Sequence, residues 1–201
     1  MIKNIVFDFG DIFINLDKKL FAKELQKLGV SQDSKEITPV LEQYEMGLIS
    51  TEAFLTFFRE KFNISSDTLV GVWNSILLDF PKKRLKFIQE LAEIKKYRLF
   101  LLSNTNKMHI SWIQNNWEMK LYNEFKNCFE KFYLSHEINL RKPNNNIYEF
   151  VLEANKLIPE ETLFIDDTKE NTDAAKLLGM YVWNLKPGKE EVVELFTKNH
   201  L

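Results

Sequence analysis

The sequence predicts an α/β fold, a Rossmann-like parallel sheet with a small helical bundle inserted after the first strand, on three observations. Short runs of aliphatic, β-branched and aromatic residues recur along the chain and read as buried strands. Between them lie stretches whose apolar residues repeat at helical spacing, the alternation that gives a parallel sheet. One region, from about Asp17 to Pro81, breaks the alternation with helical stretches and no convincing strand.

In chain order, Ile2 to Phe7 is the first expected strand. Helical stretches follow over Leu20 to Leu28, Thr51 to Phe62 and Leu69 to Leu78, divided by Gly29, Pro39 and Gly47 into segments suited to a small bundle. The aromatics Phe54, Phe57, Phe58, Phe62 and Trp73 are expected in its core. Leu85, Ile88, Leu91 and Ala92 make the apolar face of a helix that leads into a second strand, Arg98 to Leu102. A weaker strand candidate spans Phe129 to Leu134. Ile147, Phe150, Val151, Ala154 and Leu157 mark a helix before the strand Thr162 to Ile165, with Pro143 fitting its start and Pro159 its exit. Gly179 suits a left-handed C-cap just ahead of the strand Tyr181 to Trp183. Residues 1–16 with 82–201 are thus expected to form the α/β core domain, and residues 17–81 a helical cap domain.

Composition narrows the function classes. The 201 residues, 45% hydrophobic and 28% charged, suffice for one good core and a small second one. Lys and Arg number 27 against 29 Asp and Glu, a net charge of −2 that carries no nucleic-acid footprint, so an anionic ligand has to be held by local groups. The lone Cys128 excludes an internal disulfide, suits a reducing cytoplasm and, beside Phe129, reads as a buried structural thiol. No apolar run reaches the ~18 residues of a membrane span, so neither signal peptide nor anchor is expected. His136 and His200 lack zinc-ligand spacing, and of the tryptophans at 73, 112, 117 and 183 Trp73 alone is placed where the insert can offer it to a ligand.

Chemistry enters where the strands end. In "NIVFDFGDIF" three apolar residues run into Asp8, and an ionised carboxylate there costs several kcal/mol unless it is paired. Either Asp8 caps a turn or it holds a cation. Ser103 and Asn104 end the second strand, Asp166 and Asp167 end the strand in "TLFIDDTKEN", and ligands of parallel sheets bind beyond such ends. Three carboxylates on one rim repel one another, and a hard dication such as Mg²⁺ is the usual remedy. Such a site suits a phosphate. Ser103 and nearby backbone N–H groups donate to it, Lys142 of "LRKPNNNIYEF" neutralises it, and Asp8 attacks in line to form an aspartyl-phosphate that water hydrolyses. Taken singly these residues have plainer readings: Lys142 as a solvated lysine with Arg141 the working cation, Asp166 and Asp167 as a helix cap, His109 as a packed histidine.

Together, "FDFGDIF", "LLSNTN", "RKP" and "FIDDTKEN" resemble the four ordered motifs of the haloacid dehalogenase (HAD) superfamily, over almost the whole chain. The insert falls where that superfamily carries a helical cap, and "YEMGLISTEAF" resembles cap sequence of the bacterial branch containing α-D-glucose-1-phosphate phosphatase. The resemblance implies an HAD-type core and a Mg²⁺-dependent phosphatase. By it, Asp8 is nucleophile and metal ligand, Gly10 lends its backbone carbonyl to the metal, and Asp167 with Asp166 completes the ligand set. Ser103, Asn104 and Lys142 bind the phosphoryl group, and Asn171 supports the metal ligands from behind. The expected partner is a small phosphorylated metabolite, a sugar phosphate ahead of a nucleotide such as FMN, with neither nucleic acid nor membrane. The resemblance leaves two rivals: the dehalogenase reaction, which uses an aspartate nucleophile without a metal, and a non-catalytic phosphate-binding or regulatory module.

One position departs from the pattern. Many phosphatases of the superfamily carry a second aspartate two residues after the nucleophile to protonate the leaving alcohol, and here Gly10 stands there. Asp11 is adjacent, but in an extended backbone it points to the other side. The proton is then expected from water, from Asp11 after a local turn, or from the cap, with good leaving groups such as anomeric phosphates favoured.

Overall fold

The computed structural model describes residues 1–31, 34–117 and 119–197. Its strands β1 (Asn4–Phe7), β2 (Arg98–Ser103), β3 (Lys131–Leu134), β4 (Thr162–Asp166) and β5 (Tyr181–Asn184) form one sheet in the order β3-β2-β1-β4-β5. Every pairing is parallel. The weakest expected strand, at Phe129 to Leu134, is therefore real and forms one edge. Because β1 lies between β2 and β4, the chain reverses its direction of travel across the sheet there, and a crevice opens at the carboxyl ends of those strands.

Alternation along the strands fills both faces. Ile5, Phe7, Leu99, Leu101, Leu163 and Ile165 enter one core with Phe87, Ile88 and Phe125. Val6, Phe100, Leu102 and Phe164 enter the other with Ile147, Tyr148, Val151 and Ala175. The first core is covered by α5 (Lys82–Ile94), α6 (Lys107–Asn116) and α7 (Met119–Lys126), the second by α9 (Asn145–Asn155) and α10 (Lys169–Leu177). Helix α6 is the one expected behind Ser103, with His109 in its first turn, whereas α7 was not among the expected ones. They pack Ile110, Ile113, Tyr122 and Phe125 onto the sheet, and α7 is short, eight residues, with its apolar side turned inward.

Between β1 and β2 lie α1 (Lys18–Lys27), α2 (Thr38–Glu45), α3 (Thr51–Phe62) and α4 (Ser66–Asn74). Asp17, Ser50 and Ser65 cap α1, α3 and α4 by accepting from Leu20, Ala53 and Thr68 N–H. Phe54, Phe58, Tyr44, Trp73 and Leu69 form their own core, with Phe57 and Phe62 packed against it. Two expectations need correction. Pro39 opens α2 rather than dividing segments, because a first-turn proline gives up no hydrogen bond. Helix α4 ends at Asn74, and the chain beyond it pairs back to the entry strand: Asp17 N–H donates to Ile76 O, Leu78 N–H to Asn15 O and Asn15 N–H to Asp79 O.

Elsewhere Pro143 precedes α9 by two residues, Asn144 being its cap residue, and Pro159 opens a 3₁₀ turn, Pro159–Glu161. Gly179 follows α10 at φ +87°, as the C-cap reading requires. Cys128 is partly exposed, its thiol donating to Glu124 O and pushed up to about 11 by burial, so it is a poor nucleophile. His200 lies outside the described residues. Among those described, no helix is long and apolar enough to cross a membrane.

The segment after α2 is pinned to the short helix α8 (Ser135–Ile138) and the turn behind it. Ser135 Oγ donates to Glu45 O at 2.6 Å and Asn139 Nδ2 to Met46 O at 2.7 Å. Gly47 has φ +65°, and a Cβ added to it would stand 2.1 Å from the His136 carbonyl oxygen. Gly47→Ala is expected to lower stability by about 2 kcal/mol or more, since both strain and a backbone clash are introduced. Gly71→Ala, in α4 with nothing within 4 Å of the new methyl, is expected to raise stability by up to ~1 kcal/mol. Urea unfolding of the two variants beside wild type measures both.

Candidate active site

The register of the sheet decides which groups meet. Phe7 pairs with Leu101 on one side and Ile165 on the other, so Asp8, Leu102 and Asp166 stand level on three adjacent strands. The Asp8 N–H donates to Ile165 O at 2.8 Å and holds this level beyond the end of β1. Into the gap comes Lys142, from the turn between α8 and α9. Its ammonium donates to Asp8 Oδ1 at 2.7 Å, Asp166 Oδ2 at 2.7 Å and Leu102 O at 2.9 Å, with 1% of the side chain exposed.

Lys142 is held there by Asn104. The Asn104 amide donates to Lys142 O at 2.8 Å and accepts from Lys142 N–H at 2.9 Å. Both polar atoms of that side chain thus face the lysine backbone, which leaves the Asn104 main chain, rather than its amide, to meet a ligand. Arg141 faces elsewhere: its guanidinium binds Glu45 Oε2 and Glu42 Oε1 at 3.0–3.2 Å, both on α2. Of the two neighbouring cations, Lys142 reaches the strand ends and Arg141 docks the insert.

The carboxylates differ in what surrounds them. Asp166 is fully buried and saturated, accepting from Lys142, from Thr168 N–H and from Asn171 Nδ2 at 3.0–3.1 Å on both oxygens. Asp8 keeps Oδ2 clear of Lys142, the side that faces Gly10, where an added Cβ would lie 4.0 Å away. Asp167 is less enclosed and offers Oδ2 to Lys18, with only a weak 3.5 Å contact from Thr168 Oγ1 on Oδ1. Each of Asp8, Asp166 and Asp167 has an oxygen within 4.8 Å of the others, a hard-donor set that fits a dication such as Mg²⁺. Burial pushes the Asp8 carboxyl up to about 7; Lys142 pulls it down and the charges of Asp166 and Asp167 push it up again. Burial works against the Lys142 charge too, but Asp166 and Asp8 outweigh it and hold its pKa above the ordinary lysine value.

A cavity of about 360 Å³ opens over this rim, lined from the sheet side by Gly10, Ser103, Asn104 and Thr105 and from the insert by Lys18, Glu45 and Trp73. Ser103 is buried, and its hydroxyl makes only a long 3.4 Å contact to Asn104 O, so it can turn to a ligand. Leu16 fills the space where the absent acid side chain would begin: a Cβ on Gly10 would stand 2.8 Å from Leu16 Cδ1. Asp11 does not continue the alternation of β1, because the strand stops at Phe7 and Asp11 turns at φ +56°. Its carboxylate accepts from Leu16 N–H at 3.1 Å and from the Lys18 ammonium at 2.8 Å, so it is poorly set to donate a proton.

Lys18, Leu16 and Glu45 were not singled out from the sequence. No signal distinguishes Lys18 from Lys19 without knowing that the first turn of α1 returns to the sheet rim. His109 is a packed histidine. Its Nε2 donates to Trp73 O at 3.0 Å, and Nδ1 accepts from Asn106 Nδ2 at 3.1 Å, a pattern that assigns the neutral Nε2–H form.

Comparison with known proteins agrees with this architecture. Residues 5–184 match the family model for haloacid dehalogenase-like hydrolases. The chain is 30% identical to a D-ribitol-5-phosphate phosphatase of Bacteroides thetaiotaomicron, over 97% of each chain. A haloacid dehalogenase family enzyme of the same organism, crystallised with magnesium and inorganic phosphate, superposes with a TM-score of 0.78 at 33% identity, covering 94% of this chain and 97% of that one. A haloacid dehalogenase-like hydrolase from Porphyromonas gingivalis gives 0.81 at 27% identity, covering 94% of each.

The neutral His109 generates a pH prediction. Burial lowers its pKa from 6.5 to about 4, with the bond to Trp73 O opposing the shift. Between those values the unfolded chain binds the extra proton, so stability contributed by His109 is complete above pH ~6.5 and is lost as pH falls toward ~4. His109→Gln is expected to flatten the stability–pH curve in that window by on the order of 2 kcal/mol relative to wild type, read from denaturant midpoints at a series of pH values.

Proposed function

The chain belongs to the haloacid dehalogenase-like hydrolase family, and from that premise we propose that it is a Mg²⁺-dependent phosphatase of a small polyol or sugar phosphate, working through an aspartyl-phosphate on Asp8. The observation that carries the proposal is the meeting of Asp8, Asp166 and Asp167 around a gap with Lys142 beneath it. A dehalogenase needs no such cluster, and repulsion among three carboxylates would then be an unexplained cost. The metal would be held by Asp8, Asp167 and the Gly10 carbonyl, with Asp166 supporting from behind, and when bound it supplies charge stabilisation at the phosphoryl oxygens.

The residues divide the remaining work. Lys142 holds Oδ1 of Asp8 and so leaves Oδ2 as the attacking oxygen, while its charge opposes the rise that burial imposes on the Asp8 carboxyl. Asn104 fixes Lys142, and Asn171 fixes Asp166. The Ser103 hydroxyl and the Asn104 N–H would donate to the phosphoryl oxygens, the Thr105 N–H being taken by Ser135 Oγ at 2.9 Å. The cavity walls then read the rest of the substrate. Trp73 Nε1 is buried with no partner among the described residues, and a substrate hydroxyl would satisfy it.

For the leaving-group proton we propose Glu45. It lines the cavity from α2, burial raises its pKa, and Arg141 opposes that rise through Oε2 alone, leaving Oε1 for the substrate. The bacteroidal relative is named for ribitol 5-phosphate, a primary alkyl phosphate whose alkoxide leaves poorly. That chemistry calls for an acid, and it argues against the preference for anomeric phosphates inferred from Gly10.

Turnover of ribitol 5-phosphate with Mg²⁺, followed by phosphate release, tests the reading. Asp8→Asn is expected to lose about 10³-fold or more, and EDTA to abolish activity that Mg²⁺ restores. An unchanged rate in Asp8→Asn removes the nucleophile assignment. Glu45→Gln is expected to slow the alkyl phosphate by about 10²-fold and p-nitrophenyl phosphate, whose leaving group needs no proton, far less. Equal losses on both would leave Glu45 a docking residue only.

A further inference from the structure

Lys18 is the one cation on the rim, among the described residues, for which the mechanism above finds no use. It is the first residue of α1 and follows Asp17, whose N–H is tied to Ile76 O where the insert leaves and rejoins the sheet domain. From there its ammonium spans Asp11 Oδ2 at 2.8 Å and Asp167 Oδ2 at 2.7 Å. It also lines the cavity over Ser103. Its burial contrasts with that of Lys142: the Lys18 side chain is 52% exposed and Lys142 1%. One ammonium is enclosed by the sheet; the other reaches its two carboxylates from a half-exposed position.

We propose that Lys18 is an exchangeable counter-ion, holding Asp167 while the rim lacks a metal and passing to the substrate's phosphoryl group once a divalent cation takes Asp167. The proposal rests on the metal site assigned above. Its first ground is competition for one carboxylate, since a dication held by Asp167 would stand beside an ammonium already 2.7 Å from Oδ2 and repel it. Its second is charge balance. Asp8, Asp11, Asp166 and Asp167 face Lys18 and Lys142, a net of two negative charges that a dication cancels, so the demand for Lys18 at Asp167 ends. A phosphomonoester dianion then restores two negative charges inside the cavity. Asp11 keeps the released ammonium on the rim, beside the space the dianion enters. Lys18 is in this sense a positioning cation that moves with loading of the site.

Two titrations separate this role from a structural one, because the exchange predicts opposite signs. Calorimetric titration of Mg²⁺ into wild type, Lys18→Met and Lys18→Arg is expected to show the methionine variant binding Mg²⁺ about 3- to 10-fold more tightly, its competitor being gone. Titration of inorganic phosphate into the Mg²⁺-saturated proteins is expected to show the same variant binding phosphate about 5- to 20-fold more weakly. Lys18→Arg returns both constants toward wild type. Unchanged or weaker Mg²⁺ binding in Lys18→Met, or unchanged phosphate binding, overturns the exchange while leaving the metal site standing. A wild-type protein that binds no Mg²⁺ overturns both.

Discussion

The rest of the structure depends on one buried ammonium. Lys142 joins Asp8, Asp166 and the Leu102 carbonyl, three groups that the sheet register has already set level on neighbouring strands. Removing a carboxylate from water is costly, and two facing each other at the ends of adjacent parallel strands would push those strands apart. The lysine turns that repulsion into a bound pair, and a short network holds it in place: Asn104 grips its backbone and Asn171 grips Asp166. What Lys142 leaves untouched is Asp8 Oδ2 and Asp167, whose Oδ2 is met by Lys18 instead. The rim therefore carries more carboxylates than cations, an excess that a dication would balance.

Adjacent residues carry the same logic to the insert. Arg141 holds Glu42 and Glu45 of α2, Ser135 and Asn139 hold the backbone after it, and Gly47 permits an approach that no side chain allows. On the other side Lys18, opening α1, reaches Asp11 and Asp167. The four-helix insert is thereby fastened at two points over the strand ends, with the cavity between it and the sheet. Glu45, Trp73 and Lys18 of the insert line that cavity, so the insert as well as the sheet faces whatever binds there.

Much of this was legible in the sequence because strand ends announce themselves. Apolar runs that stop at Asp8, at Ser103 and at Asp166 need no tertiary information to suggest a common rim, and the parallel sheet brings their strands side by side. The choice of Lys142 over Arg141 rested on the "KP" context and the motif resemblance, and Lys142 does reach the strand ends while Arg141 turns to α2. Leu16 and Lys18 were invisible, because their importance comes from the chain doubling back after Phe7, a turn that Asp11 takes at positive φ without a glycine to mark it. Helix α2 was hidden by Pro39, which reads as a breaker until it is placed in a first turn. Helix α7, only eight residues long, went unmarked although its apolar side packs onto the sheet through Tyr122 and Phe125.

The most direct measurement is a crystal structure of the protein with Mg²⁺ and beryllium fluoride, a mimic of the phosphoryl group on an aspartate. The account requires the fluoride adduct on Asp8 Oδ2, with Lys142 still on Oδ1 and the cation between Asp8 and Asp167. An adduct on any other residue, or a cation bound away from the three strand ends, would contradict it.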